Sequence, residues 1–166
     1  MSIINEENIM HIETNRLTVK NMTLNNADEL FAVLSDKDVM RFIEKPFSYK
    51  QTEDFIINFA LCVPPKIFGV FLKETDLLIG HLIFHPYDET CYEVGWILNK
   101  LYWNMGFAQE LTESVIDYAK QNKIKGLVIE CDKNQLATRH IAEKHNFQLV
   151  EECSNSKLVE YKLKLD

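Results

Sequence analysis

Residues 92–111 read YEVGWILNKLYWNMGFAQEL, and the fold turns on how this stretch is parsed. Tyr92–Leu98 is rich in β-branched and aromatic residues and predicts a strand. A short loop follows, and Gly106 then opens an amphipathic helix over about Met105–Asn122, with Leu111, Val115, Tyr118 and Ala119 inward. A strand that passes through a tight turn into a helix leaves unpaired N–H groups over the turn, with the positive end of the helix behind them. That arrangement suits an anion such as a pyrophosphate. Gly106 lets the backbone approach phosphate oxygens with no Cβ in the way. A glycine at a helix start is equally a common structural device, and on these residues alone both readings stand. Neither GxGxxG nor GxxxxGK[ST] occurs, which disfavours the dinucleotide and P-loop classes.

Outward from this segment the periodicity continues. Upstream, Lys66–Lys73 and Leu77–His85 predict an antiparallel hairpin turning at Glu74–Asp76, with Pro86–Thr90 looping to the strand at Tyr92. Further upstream, Arg16–Met22 predicts a short strand. Thr23 begins a helical stretch with Asp28 and Glu29 in its first turn and Ala27, Leu30, Phe31 and Leu34 on one apolar face. Ser48 and Gln51 have capping-box spacing for a second helix, whose buried stripe is Phe55, Ile56 and Phe59 and which stops at Pro64-Pro65. Downstream come a strand at Leu127–Cys131, a helix at Gln135–His145, and strands at Phe147–Glu152 and Leu158–Leu165. The expected fold is α/β (α+β): a central, mixed, mostly antiparallel sheet of about seven strands, flanked by about four helices.

Composition sets the outer bounds. At 166 residues, 46% hydrophobic and 26% charged, the chain fits one globular domain over residues 1–166. Its formal net charge of −7 disfavours nucleic acid and anionic membrane surfaces. No basic leader precedes an apolar run and no stretch approaches 18 apolar residues, so a cytoplasmic protein without a membrane span is expected. Cys62, Cys91, Cys131 and Cys153 form no CxxC or Cys/His cluster, so reduced thiols and no metal site are expected. His81 and His85 share a strand face but lack an evident third ligand.

Glu93–Leu111 closely resembles the strand-loop-helix core of the GNAT superfamily of N-acetyltransferases, in particular its RimJ/RimL-like branch. There the phosphate turn commonly reads Tyr-Trp-Gly-Lys-Gly-Tyr-Ala. Here it reads Tyr102-Trp103-Asn104-Met105-Gly106-Phe107-Ala108. Glu13-Thr14-Asn15-Arg16-Leu17 resembles the family's opening Thr-x-Arg-Leu, and Asp132–Phe147 resembles its Asp-x-x-Asn-x-x-Ser…Glu-Lys-x-Gly-Phe. The likeness runs from about residue 12 to 165. Asn104 and Met105 stand in place of Gly-Lys, Gln135 in place of Asn, Thr138 in place of Ser, and Asn146 in place of Gly, a swap that a left-handed helix end tolerates.

The resemblance implies acetyl-CoA as co-substrate, an amine acceptor (a protein N-terminus or a small molecule), direct transfer, and action as a monomer or homodimer. It places the pyrophosphate over Trp103, Asn104, Met105, Gly106, Phe107 and Ala108, with Gln135 and Thr138 also at the cofactor. It places the pantetheine arm on the backbone of Ile97 and Leu98, where an N–H polarises the thioester carbonyl. Glu93, at the strand's head, is the candidate base, and is equally readable as a solvated strand-end acid. Thr138 is the candidate partner of the departing thiolate, or else a local helix cap, because Ala142 occupies the position where a Tyr acid is often found. His85 is a candidate lining of the acceptor cleft beside Pro86–Tyr87. The two N-terminal helices and the Pro86–Thr90 and Ser154–Lys157 loops would set the acceptor. Trp96 and Trp103 read as packing residues rather than adenine stackers, and Cys91 and Cys131 as small strand hydrophobes rather than nucleophiles. The alternative on the same fold is a non-catalytic acyl-CoA-binding or sensing domain.

Overall fold

The alternating segments on either side of residues 92–111 join one sheet. A computed structural model of the chain describes residues 9–151 and 155–166. Its strands are β1 (His11–Glu13), β2 (Leu17–Lys20), β3 (Ile67–Leu72), β4 (Leu78–Pro86), β5 (Cys91–Leu98), β6 (Gly126–Asp132), β7 (Gln148–Glu151) and β8 (Leu158–Lys164). The α-helices are α1 (Ala27–Leu34), α2 (Tyr49–Phe55), α3 (Phe107–Gln121) and α4 (Leu136–Lys144). The sheet order is β1-β2-β3-β4-β5-β6-β8-β7. Every neighbouring pair is antiparallel except β5–β6, which is parallel. The expected mixed, mostly antiparallel sheet with four helices is what forms, with the three-residue β1 making the eighth strand.

Alternation along the strands sorts the core into two layers. Leu82 and Phe84 of β4, Val94 and Leu98 of β5, and Leu127 and Ile129 of β6 face α3 and α4. Ile67, Phe71 and Leu78, with Ile83 and Ile97 partly buried beside them, face α1 and the end of α2. Full burial of one such side chain stabilises by about 1.5–3 kcal/mol relative to exposure.

Local chemistry explains most boundaries. Thr23 closes a capping box with Asn26 on a short 3₁₀ turn that leads into α1. Ser48 closes one with Gln51, as its spacing predicts. In α1, Val33 rather than Phe31 joins the buried face, and Phe31 packs edge-on to Tyr49 at 5.5 Å. The stripe expected of α2 is also corrected. A wide turn over Ile56–Ala60, closed by Leu61 N–H donating to the Ile56 carbonyl at 3.0 Å, adds a residue to the helical repeat. Thr52, Ile56 and Ala60 therefore point inward, while Phe59 is 40% exposed. α3 begins two residues later than Met105 because Gly106 takes a left-handed φ of 82° that no helix accommodates. Along α3 the buried set is Phe107, Leu111, Thr112, Val115 and Ala119, and Tyr118 is only half-buried against Phe84. Asn146 follows α4 at φ 68°, the left-handed conformation that Asn accepts. Glu152, Cys153 and Ser154 lie outside the described residues. Cys62, Cys91 and Cys131 are unpaired. Among the described residues no helix is long and apolar enough to cross a membrane.

Candidate active site

The sheet opens where its one parallel pair ends. β5 and β6 are in register only at Cys91↔Gly126, Tyr92↔Leu127 and Glu93↔Val128. Beyond that point β5 continues to Leu98 against β4, and β6 to Asp132 against β8. The two strands thus part after Glu93 and leave one backbone edge of β5 without a strand partner.

Antiparallel alternation decides which groups face the gap. Tyr87 N–H donates to the Cys91 carbonyl at 2.9 Å and Asn99 N–H to the Ile79 carbonyl at 2.7 Å, so odd-numbered residues of β5 direct their backbone to β4. The amides of Trp96 and Leu98 face the gap instead. Ile97, opposite His81, turns its backbone to β4, so its amide, unlike that of Trp96, does not face the gap. The Leu98 carbonyl is taken by the Trp103 indole N–H at 2.9 Å, which ties the following turn to the end of β5.

That turn carries two left-handed residues, Asn104 at φ 60° and Gly106 at φ 82°. Asn is among the few non-glycine residues that enter this region readily, which reconciles Asn104 with a position where glycine is common. No side chain caps the N-terminus of α3, so the first amides of its 15 residues remain available to an anion over the turn.

A cavity of about 600 Å³ connects gap and turn. Of the residues expected at a cofactor, Ile97, Leu98, Trp103, Asn104, Gly106, Phe107, Ala108, Gln135 and Thr138 line it. Met105 does not, and its side chain is half-exposed. Asp38, Arg41, Phe42 and Ile43, from the segment after α1, form a wall that sequence reading missed because no periodicity marks it. Gln135 Oε1 accepts from the Asp132 amide at 2.9 Å, closing the turn into α4. Thr138 is the third residue of α4, and no side chain caps that helix, so its local-cap alternative is not realised.

Glu93 and His85 do not line this cavity. They face each other across β4 and β5, on the sheet face of Ile83 and Ile97, at the point where β5 and β6 part. His85 Nε2 lies 3.1 Å from Glu93 Oε2, and Nδ1 lies 2.9 Å from the Pro86 carbonyl. Both partners are acceptors, a setting that favours the doubly protonated ring, and its pKa is raised from 6.5 chiefly by the Glu93 hydrogen bond. The stability this pair contributes is fully present below pH 6.5 and is lost as pH rises through the raised folded value. His85→Ala should therefore destabilise by about 0.5–1 kcal/mol at pH 6 and by less at pH 9 in urea unfolding. A pH-independent difference would mean that the pair is not charged in the native state.

Further carboxylates surround this corner. Burial, then Glu93 and Glu160, raise the pKa of Glu130. Tyr87 donates to Glu160 at 2.8 Å, and that bond is the largest contribution raising its hydroxyl to about 12. Only the β6–β8 register, with Glu130 opposite Glu160, brings these groups together, so no local motif signals them. His81 shares the face but is fully buried against Phe55, with neither ring nitrogen hydrogen-bonded, and burial pushes it down to about 4. Burial likewise raises Cys131 to about 11, which leaves it inert as a nucleophile near neutral pH. Among the described residues no group of three His, Cys, Asp or Glu is placed to hold a metal ion.

Comparison with known proteins assigns this architecture. The family model "Acetyltransferase (GNAT) domain" matches residues 16–148. The chain is 27% identical over 137 residues to the uncharacterized N-acetyltransferase YnaD of Bacillus subtilis (strain 168), covering 81% of each chain. It is 36% identical over 112 residues to the uncharacterized N-acetyltransferase p20 of Bacillus licheniformis, covering 63% of each. Among solved structures, a GNAT-family acetyltransferase from Bacillus anthracis superposes with a TM-score of 0.82 at 27% identity, over 92% of this chain and 96% of that one. The ribosomal L7/L12 α-N-protein acetyltransferase RimL, in complex with coenzyme A, superposes at 0.77 with 18% identity, over 95% and 99%, a likeness of fold.

Proposed function

The chain belongs to the GNAT family of N-acetyltransferases, and from that premise we propose that it acts as one domain moving the acetyl group of acetyl-CoA to a primary amine by direct attack in a ternary complex. The observation that carries this reading is the parting of β5 and β6 after Glu93, with an uncapped helix N-terminus below the gap. The residues fit the group. Amides at the start of α3 suit a pyrophosphate, and the free edge at Trp96 and Leu98 suits an amide-bearing arm. When bound, acetyl-CoA supplies the activated acetyl group. An N–H from Trp96 or Leu98 aimed at the thioester oxygen would contribute about 3 kcal/mol in the transition state.

The acceptor nitrogen attacks the thioester carbon, an N–C bond forms and the C–S bond breaks. The amine's proton passes to Glu93, directly or through water, and the leaving sulfur is held by Thr138 in the cavity. An α-amine, with a pKa of about 7.7–8, is roughly a tenth neutral at pH 7, whereas a lysine-like amine near 10.4 is less than about 0.1% neutral. Family likeness makes a protein N-terminus or small amine the acceptor class, and a base is needed most for the more basic amines. The test is release of free CoA thiol from acetyl-CoA across N-terminal peptides, polyamines, aminoglycosides and amino acids. Turnover with one of these classes is the expected result. Tight acetyl-CoA binding without turnover on any of them would point to an acyl-CoA-binding domain instead.

A further inference from the structure

A carboxylate sits where the proposed phosphate turn can least tolerate one. Glu110 is the one acidic residue in the first turn of α3, and its own N–H donates to the Gly106 carbonyl at 3.0 Å. Left free, an anionic side chain there is attracted to the same helix end as a phosphate and repels it. The side chain is not free. Glu110 Oε2 accepts from Thr14 Oγ1 at 2.8 Å and from the Arg16 amide at 3.3 Å. Glu110 Oε1 accepts from Arg16 Nε at 3.0 Å. The Arg16 guanidinium lies 4.1 Å from the centre of the Phe107 ring, and Nη2 lies 3.4 Å from where a Cβ on Gly106 would stand. One short segment between β1 and β2 therefore neutralises the carboxylate, grips the first ring of α3 and abuts the left-handed glycine.

We propose that Thr14 and Arg16 clamp Glu110 away from the mouth of the turn, which makes Arg16 a positioning residue for the anionic end of acetyl-CoA. The inference rests on the reading that this turn binds the pyrophosphate. It also gives the Thr14-x-Arg16-Leu17 segment a function in a chain whose turn has Met105 where a cation is common. The arginine acts through Glu110 and Phe107, so its loss matters because the carboxylate is released. Lysine keeps the charge but offers neither the Nε contact nor the flat stacking surface.

Calorimetry with CoA and with phosphate-free pantetheine separates the possibilities. Arg16→Met should weaken CoA binding at least tenfold and change pantetheine binding by less than twofold. Adding Glu110→Gln should restore most of the lost CoA affinity, because the repelling charge is gone. A double variant as weak as Arg16→Met, equal losses for CoA and pantetheine, or undiminished CoA affinity would each overturn the clamp. Arg16→Lys, expected to lose about threefold on CoA alone, is the substitute if Arg16→Met fails to unfold cooperatively. Wild-type protein binding CoA no better than pantetheine would overturn the phosphate turn itself and the clamp with it, an outcome visible before any variant is made.

Discussion

Gly106→Val is expected to lower CoA affinity ten- to a hundredfold while the protein still unfolds in one cooperative step. Gly106 sits at φ 82°, where a β-branched residue is a steric outlier. Holding any L-residue there costs about 1–2 kcal/mol, and valine more. The new Cβ would also lie 3.4 Å from Arg16 Nη2, so the side chain beyond it would press on the guanidinium. The turn escapes by rotating to negative φ, and the amides of residues 104–108 then leave their common focus. Each 1.4 kcal/mol withheld from the anion is a tenfold loss. The buried faces of α3 and the sheet are untouched, so the core keeps the fold together. Gly106→Asn is the control, since asparagine already holds φ 60° two residues earlier, and it should lose much less. Calorimetry on a folded Gly106→Val protein that binds CoA as the parent does would remove the pyrophosphate from this turn.

The elements were legible because they depend on near neighbours. Ser48 with Gln51, the hairpin turn after Lys73, and the strand–turn–helix around Gly106 are local patterns whose chemistry acts within a few residues. Errors arose where a local pattern was perturbed from outside it. The wide turn at Ile56–Ala60 moved Phe59 off the inner face, and no simple repeat encodes such a turn. The cavity residues 97, 98, 103, 104, 106–108, 135 and 138 could be placed only through family likeness, because they come from three separate elements. The fine geometry was not legible at all. Whether Trp96 or Ile97 offers its backbone to the gap depends on the hydrogen-bonding phase of β4 against β5, which hydrophobic pattern does not report. The Thr14–Arg16–Glu110 contacts span more than ninety residues of sequence, and only the packing of β1 and β2 beside α3 makes them neighbours.

Glu93→Gln should slow acetyl transfer at neutral pH by about a hundredfold, a typical loss when a general base is removed, with acetyl-CoA affinity unchanged. Glu93 stands at the last paired position before β5 and β6 separate, beside the opening rather than within the cofactor cavity. Affinity and rate should therefore divide cleanly. The glutamine keeps the size and can still accept from His85 Nε2, so the corner of the sheet is preserved. What it loses is the capacity to take a proton from the attacking nitrogen. The deficit should shrink as pH rises, because a growing share of the amine arrives neutral, and it should be largest for acceptors of highest pKa. His85 sharpens the test. Its Nε2 lies 3.1 Å from Glu93 Oε2 and its pKa is raised chiefly by that bond, so His85→Ala in an otherwise native protein should alter the pH–rate profile without abolishing turnover. If Glu93→Gln works at the parental rate from pH 6 to 9, proton removal belongs to another group. Glu130 and His85 itself, both at the same corner, are then the residues to replace next.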